Sequence, residues 1–287
     1  MVLGNLAPTT LKFYNATLSQ FYEFLLGLHP RYCPFPVNPG HVGLYVVHLF
    51  NCGYAGSTIT SRLSAISYAY QLFKRPNPVD DFVVQRALKT ARKLRPQKDT
   101  RLPLPPKVLH EIVACTHLLG FPYYLQILFK SMMTLAFAAF LRPGEMTDSP
   151  NNIQFYDVQV FESTVMIVFA QYKHSTGVPF TAYVEAVDSP YCPVVLLKDY
   201  LRLRGPYAGA LFVTIGGLPV SYSTFKSMFE TALRKVGVRG RMSPHSIRIG
   251  AASNAAAAGY SDTSIQKFGR WKSNAFGNYV KFPELFM

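Results

Sequence analysis

Ser243-Pro244-His245-Ser246-Ile247-Arg248 opens the stretch on which the reading of this chain turns. Serine followed by proline is a good N-cap followed by a good first helical residue, so His245 and Arg248 are expected in the first turn of a helix. Residues three apart share a face. A first turn also carries unpaired N–H groups and the positive end of the helix dipole, so imidazole, guanidinium and backbone are expected to point at one phosphate-like anion. The helix should run over residues 246–258, through the alanines 255–258, and stop at Gly259. H-x-x-R alone equally describes a capped surface helix, so the decision passes to the rest of the chain.

Three further stretches bear on it: Leu141-Arg142-Pro143-Gly144-Glu145, Gly269-Arg270-Trp271 and Tyr279. Arg142 is expected to end a largely apolar helix, where a guanidinium is costly to bury without an anion. It is expected either to pair with Glu145 or Asp148 or to face a ligand, and Glu145 is placed to orient it while leaving its other edge open. Arg142 and Arg248, an imidazole, an indole N–H and a phenol form an inventory suited to attack on a phosphodiester by tyrosine without a metal ion. Two guanidiniums grip non-bridging oxygens in bidentate fashion, and an oxygen nucleophile takes the phosphate covalently.

Composition is compatible with that chemistry. The 287 residues suffice for two domains, and 49% hydrophobic against 15% charged residues describes a packed globular chain. A formal charge of +14 points to a polyanionic partner. Cys33, Cys52, Cys115 and Cys192 lack zinc-binding spacing and read as reduced thiols, so an intracellular setting is expected. Residues 1–28 do not read as a secretory signal, and the longest apolar run, 132–141, is too short to span a bilayer, so no membrane association is expected.

Apolar positions recurring at three and four predict a helix from Thr9 or Thr10 to Leu28, and others over 39–53, 57–73 and 82–94. The run from Arg95 to Pro106 is basic and proline-rich, as an extended linker is, and sets a boundary between residues 1–98 and 99–287. The first segment carries eleven basic and three acidic side chains, the second eighteen and twelve; both are cationic, as a duplex held between them would require. The second segment starts with helices over 106–119 and 122–141. A small antiparallel sheet is then expected from 155–161, 164–171 and 178–184, followed by helices over 193–203, 223–236, 246–258 and 262–268.

The combination of L-R-P-G-E, a sheet-turn lysine, H-x-x-R, G-R-W and a following tyrosine resembles the tyrosine recombinase, or phage integrase, family. The run H-S-I-R-I-G-A-A-S-N-A-A-A-A-G with G-R-W-K-S-N-A-F-G-N-Y is similar in particular to recombinases of DIRS-type retrotransposons. The resemblance implies a mainly α fold: an all-helical, SAM-like four-helix core-binding domain over 1–98 and a mixed α+β catalytic domain over 99–287. It implies Tyr279 as nucleophile, Arg142 and Arg248 on the scissile phosphate, His245 managing the phenol's proton, Trp271 donating its indole N–H, and Lys173 protonating the leaving 5′ oxygen. Trp271 and Tyr279 are eight apart, one fewer than in bacterial and phage members, which predicts a shorter or rotated nucleophile helix.

The implied partners are double-stranded DNA and further copies of the chain, four on two duplexes. Bond energy is conserved in such a reaction, so no metal, nucleotide or other small-molecule cofactor is expected. Arg62, Arg92, Lys93, Lys226, Arg234 and Lys235 are expected to contact DNA, and Phe282, Leu285 and Phe286 to plug into a neighbouring protomer. If the source is eukaryotic, the setting is the nucleus. The alternatives are a DNA-binding protein of the same fold without the reaction, and a type IB topoisomerase-like enzyme.

Overall fold

The computed structural model describes residues 6, 8–29, 36–96, 100–170, 172, 177–238 and 240–281. The chain divides into two compact units, Met1–Asp99 and Thr100–Met287. The first consists of α1 (Pro8–Leu28), α2 (Pro39–Asn51), α3 (Gly56–Leu72) and α4 (Phe82–Leu94), with a 3-10 turn at Pro78–Asp80. Asn38 caps α2 through the Gly40 amide, and Asp81 caps α4 through the amides of Val83 and Val84. Phe21, Leu25, Tyr45, Leu49, Leu63, Ile66, Val84 and Leu88 form its core. Each large apolar side chain so buried contributes about 1.5–3 kcal/mol.

The second unit begins with α5 (Pro106–Cys115), α6 (Tyr123–Ala138) and the single turn α7 (Pro143–Met146). Next come β1 (Val158–Val160), β2 (Thr164–Phe169) and β3 (Phe180–Glu185), then α8 (Pro193–Arg204), α9 (Tyr222–Lys235), α10 (His245–Ala257) and α11 (Asp262–Phe268). The strands form one antiparallel sheet in the order β1-β2-β3, with Val165 opposite Val184 and Phe169 opposite Phe180. Alternation along β2 buries Val165, Ile167 and Phe169. Apart from half-buried Lys130, the middle of α6 is buried from Leu128 to Ala136 and forms the centre of the larger core. The mainly helical fold with a small antiparallel sheet is thus the one expected from sequence.

Several details differ from expectation. The α6 helix stops at Ala138, and Phe140 takes a left-handed φ of 52°. Arg142 therefore does not end that helix; it is the extended N-cap of α7, as a residue before proline prefers. Residues 155–157 form a 3-10 turn rather than strand. The cap ahead of α10 runs the other way: the Ser243 amide donates to the Ser246 hydroxyl at 3.0 Å, and the helix begins after Pro244. Tyr279 follows a 3-10 segment, Asn274–Asn278, in place of a helix of its own. Cys52, Cys115 and Cys192 are free thiols, and Cys33 lies outside the described residues. Among the described residues no helix is long and apolar enough to cross a membrane.

Candidate active site

The α10 helix is the floor of the site. The Leu104 amide donates to the Ser246 carbonyl at 2.9 Å, and an added Cβ at Gly250 would lie 2.0 Å from the Leu104 carbonyl oxygen, so only glycine lets this helix approach so closely. The alanines that favour helix serve a second purpose. Ala251, Ala252 and Ala255 leave a shallow surface on which Phe140, Ile265 and Phe276 pack, with Trp271 and Tyr279 against them. Ser253 fastens the segment after Phe276: its hydroxyl donates to the Tyr279 carbonyl at 3.2 Å and accepts from the Lys281 amide at 2.9 Å.

On that floor His245 Nε2 lies 3.2 Å from the Tyr279 hydroxyl. Arg248 is 0% exposed, its guanidinium 4.1 Å from the Trp271 ring centre and 5.9 Å from that of Tyr279. Its two terminal nitrogens donate to the carbonyls of Phe140 and Gly269. The Trp271 and Tyr279 rings are 5.0 Å apart. An added Cβ at Gly269 would fall 1.6 Å from the Trp271 ring, so glycine there is what allows the indole to fold back over Arg248.

Arg142 reaches the same place from the other side. Its Nη1 pairs with Glu145 Oε1 at 2.8 Å, its amide donates to Glu145 Oε2 at 2.8 Å, and its Nη2 points to the carbonyls of Arg270 at 3.2 Å and Gly269 at 3.5 Å. Arg142 and Arg248, over a hundred residues apart, thus meet at the Gly269 carbonyl. The other Glu145 oxygen binds Arg270 Nη2 at 2.7 Å. Three guanidiniums therefore surround one carboxylate.

The electrostatics follow from that count. Burial and the positive charges of Arg142 and Arg270 push the pKa of Arg248 well below the usual arginine range, while Glu145 and Tyr279 offset part of the shift. Burial also works against ionised Glu145, but Arg270, Arg142 and the Arg142 amide hold its carboxyl below the ordinary value. The cluster has positive charge in surplus in a place shielded from water, the condition that favours taking in an anion.

Not every expected residue joins the site. Lys173 lies outside the described residues, as do Phe282, Leu285 and Phe286; Tyr172, beside Lys173, packs edge-on against Phe180. Arg62, expected on a DNA-facing surface, is only 9% exposed, donates to Gln20 and sits 4.6 Å from the Tyr54 ring centre, so it is part of the core of the first unit. Arg92, Lys93, Lys226, Arg234 and Lys235 are exposed, with Arg92 bound to the Thr60 hydroxyl at 3.0 Å and Lys226 3.6 Å from Glu230. Sequence reasoning quoted Gly269 and Arg270 within the G-R-W stretch without giving either a role, and overlooked Ser253. The Arg270 side chain turns inward to Glu145, 125 residues away in the chain, while its neighbour Trp271 meets the phenol. Among the described residues no group of three or more His, Cys, Asp or Glu side chains is placed to hold a metal ion.

A helical unit is followed by an α+β unit in which arginines, histidine and tyrosine gather on one helix floor. The model of the phage integrase family matches residues 105–280, and the chain belongs to that family, the tyrosine recombinases. No curated protein sequence matches the chain. Solved structures with a similar fold include the Tn1549 transposon integrase in complex with circular intermediate DNA, at TM-score 0.67 and 16% identity over 97% of this chain and 91% of that one. A lambda integrase dimer bound to a core site matches at TM-score 0.65 and 15% identity, over 99% of this chain and 74% of that one. XerA recombinase matches at TM-score 0.51 and 18% identity, over 98% and 90%.

Proposed function

We propose that this chain is a site-specific DNA recombinase that cuts and rejoins strands through a 3′-phosphotyrosyl intermediate. The observation that carries the reading is the convergence of Arg142 and Arg248 on the Gly269 carbonyl, beside a phenol already bonded to an imidazole. In the proposed reaction a non-bridging phosphate oxygen takes the place of that carbonyl between the two guanidiniums. The Tyr279 oxygen attacks phosphorus as its proton passes to His245, the phosphorus–5′ oxygen bond breaks, and a proton from Lys173 completes the 5′ hydroxyl. Charge gathering on the phosphoryl oxygens is met by fixed donors, Arg142, Arg248 and the Trp271 indole. Attack by a 5′ hydroxyl of another strand restores a phosphodiester and frees Tyr279.

Under this reading residues 1–98 grip duplex DNA and residues 99–287 carry the chemistry, with Arg92, Lys93, Lys226, Arg234 and Lys235 on backbone phosphates. Four protomers act on two duplexes; a lambda integrase tetramer bound to a Holliday junction has a similar protomer fold. The motif run from His245 to Tyr279 supports integration of a DIRS-type mobile element, in the nucleus of a eukaryotic host, as the biological task. A nicked suicide duplex tests the proposal, because loss of the short 5′ fragment traps the covalent intermediate. Wild type is expected to accumulate a protein–DNA adduct and Tyr279→Phe none; equal trapping by both, or none by wild type on a bound site, contradicts the mechanism.

A further inference from the structure

Arg270 has no part in that reaction scheme, yet it is among the most constrained side chains in the unit. Its side chain is 1% exposed, with Nη2 on Glu145 Oε2 at 2.7 Å. Nη1 donates to the carbonyls of Ala139 and Phe268 at 3.3 and 3.2 Å, Nη2 also reaches the Phe140 carbonyl at 3.3 Å, and the guanidinium lies 3.9 Å from the Phe169 ring centre. Its Nε is buried without a hydrogen-bond partner among the described residues, and its backbone φ is 53°, a left-handed conformation that a side chain of this size adopts at a cost. Buried ion pairs are a poor route to stability. Strain, an unmet donor and a desolvated charge in one residue are the pattern that function, rather than stability, maintains.

We infer that Arg270 is a positioning residue for strand transfer, which locks the Glu145 carboxylate so that Arg142 has one orientation and ties the Arg142 turn to the Gly269–Trp271 turn. This rests on the recombinase reading. The geometry states how it works. Glu145 Oε1 holds Arg142 Nη1, while Oε2 holds both the Arg142 amide and Arg270 Nη2. With both oxygens fixed the carboxylate plane is fixed, and so is the plane of the guanidinium paired with it. The same Arg270 backbone carries the carbonyl that Arg142 Nη2 meets at 3.2 Å, next to the Gly269 carbonyl shared with Arg248. The two halves of the phosphate grip, 106 positions apart in the chain, are therefore set relative to each other through one side chain. Only a planar fork reaches the carboxylate and three carbonyls from one point, so lysine preserves the charge but not the function.

The test is single-turnover adduct formation on the nicked duplex at saturating protein, with equilibrium DNA binding and urea unfolding measured on the same preparations. Arg270→Lys, and separately Glu145→Gln, are expected to slow cleavage by roughly 100-fold with DNA affinity within about threefold of wild type, since small misplacements cost that much in rate. Added to Arg142→Lys, either change is expected to produce little further loss, because all act through one guanidinium. Cleavage at the wild-type rate, losses that multiply in the combined variants, or a loss that follows only the unfolded fraction would overturn the inference. Glu145→Gln decides the matter if Arg270→Lys does not fold. Absence of any adduct in wild type would instead remove the recombinase reading, and this inference with it.

Discussion

Two regions of the second unit bury arginine, and they treat the charge in opposite ways. At the end of α8, Arg204 gives Nε to the Leu211 carbonyl at 2.9 Å, Nη1 to Gly205 at 2.8 Å and Tyr207 at 2.7 Å, and Nη2 to Ala210 at 2.8 Å, with Phe155 stacked at 4.4 Å. One cation satisfies the carbonyls of a whole loop and lacks nothing. At the α10 floor, two of three clustered guanidiniums pair with one carboxylate, the third, Arg248, acts on it only through space, and Arg142 and Arg248 share a single carbonyl. Burial of arginine is therefore no mark of a site by itself; an unbalanced cluster is. Arg62 in the first unit stands between the two: among the described residues its partners Gln20 and Tyr54 are neutral and no second cation crowds it, although its Nε meets no acceptor.

The comparison would break most visibly at Arg248. Arg248→Lys is expected to lower single-turnover cleavage by about 1,000-fold, roughly 4 kcal/mol of transition-state stabilisation, whereas Arg204→Lys should leave the rate per folded molecule unchanged. Stability should show the reverse ranking for Arg204. Arg204→Leu removes the guanidinium from four carbonyls, of which Leu211 keeps the Tyr200 hydroxyl, and is expected to cost about 2–4 kcal/mol in urea denaturation. If it instead abolished cleavage in the folded protein, the loop would have to be counted as part of the site.

A pH series sharpens the same contrast. The folded-state pKa of Glu145 lies below the ordinary 4.5, so the stability its ionised form provides is complete above that value and is lost as pH falls through the folded pKa. Glu145→Gln should be less stable than wild type at neutral pH, and the gap in urea midpoint should narrow below about pH 4.5. A gap independent of pH would mean that the carboxylate's charge is not what holds the cluster. The smallest effects belong to the exposed cations. Arg234→Gln and Lys235→Gln should each reduce the slope of log affinity against log salt by about 0.9 per lost phosphate contact, while Arg62→Met should leave the slope alone and cost about 1 kcal/mol of stability.

What could be read in the sequence was whatever is local. Asp81 with its two amide bonds and the basic end of α4 fix that helix at Phe82–Leu94, and the spacing of His245 and Arg248 in a first turn depends on adjacent residues alone. The end of α6 was misjudged because apolar residues continue to Leu141, although Pro143 already disfavoured helix at Arg142. Arg62 sits between Ile59 and Ile66 on the core face of α3, a placement that periodicity could have revealed. The role of Arg270 was invisible for a different reason. Its partner Glu145 is 125 residues away, and no propensity or period reports on a pairing that exists only after both units of secondary structure have packed.

The central claim, that Arg142 and Arg248 neutralise one backbone phosphate for attack by Tyr279, is tested most directly by removing charge from the substrate instead of the protein. A nicked duplex with a neutral methylphosphonate at the scissile position has less negative charge to offset, so Arg142→Ala, slow on ordinary DNA, should recover at least about tenfold in adduct formation on it. Equal inactivity of Arg142→Ala on both substrates, with wild type cleaving normally, would contradict the account.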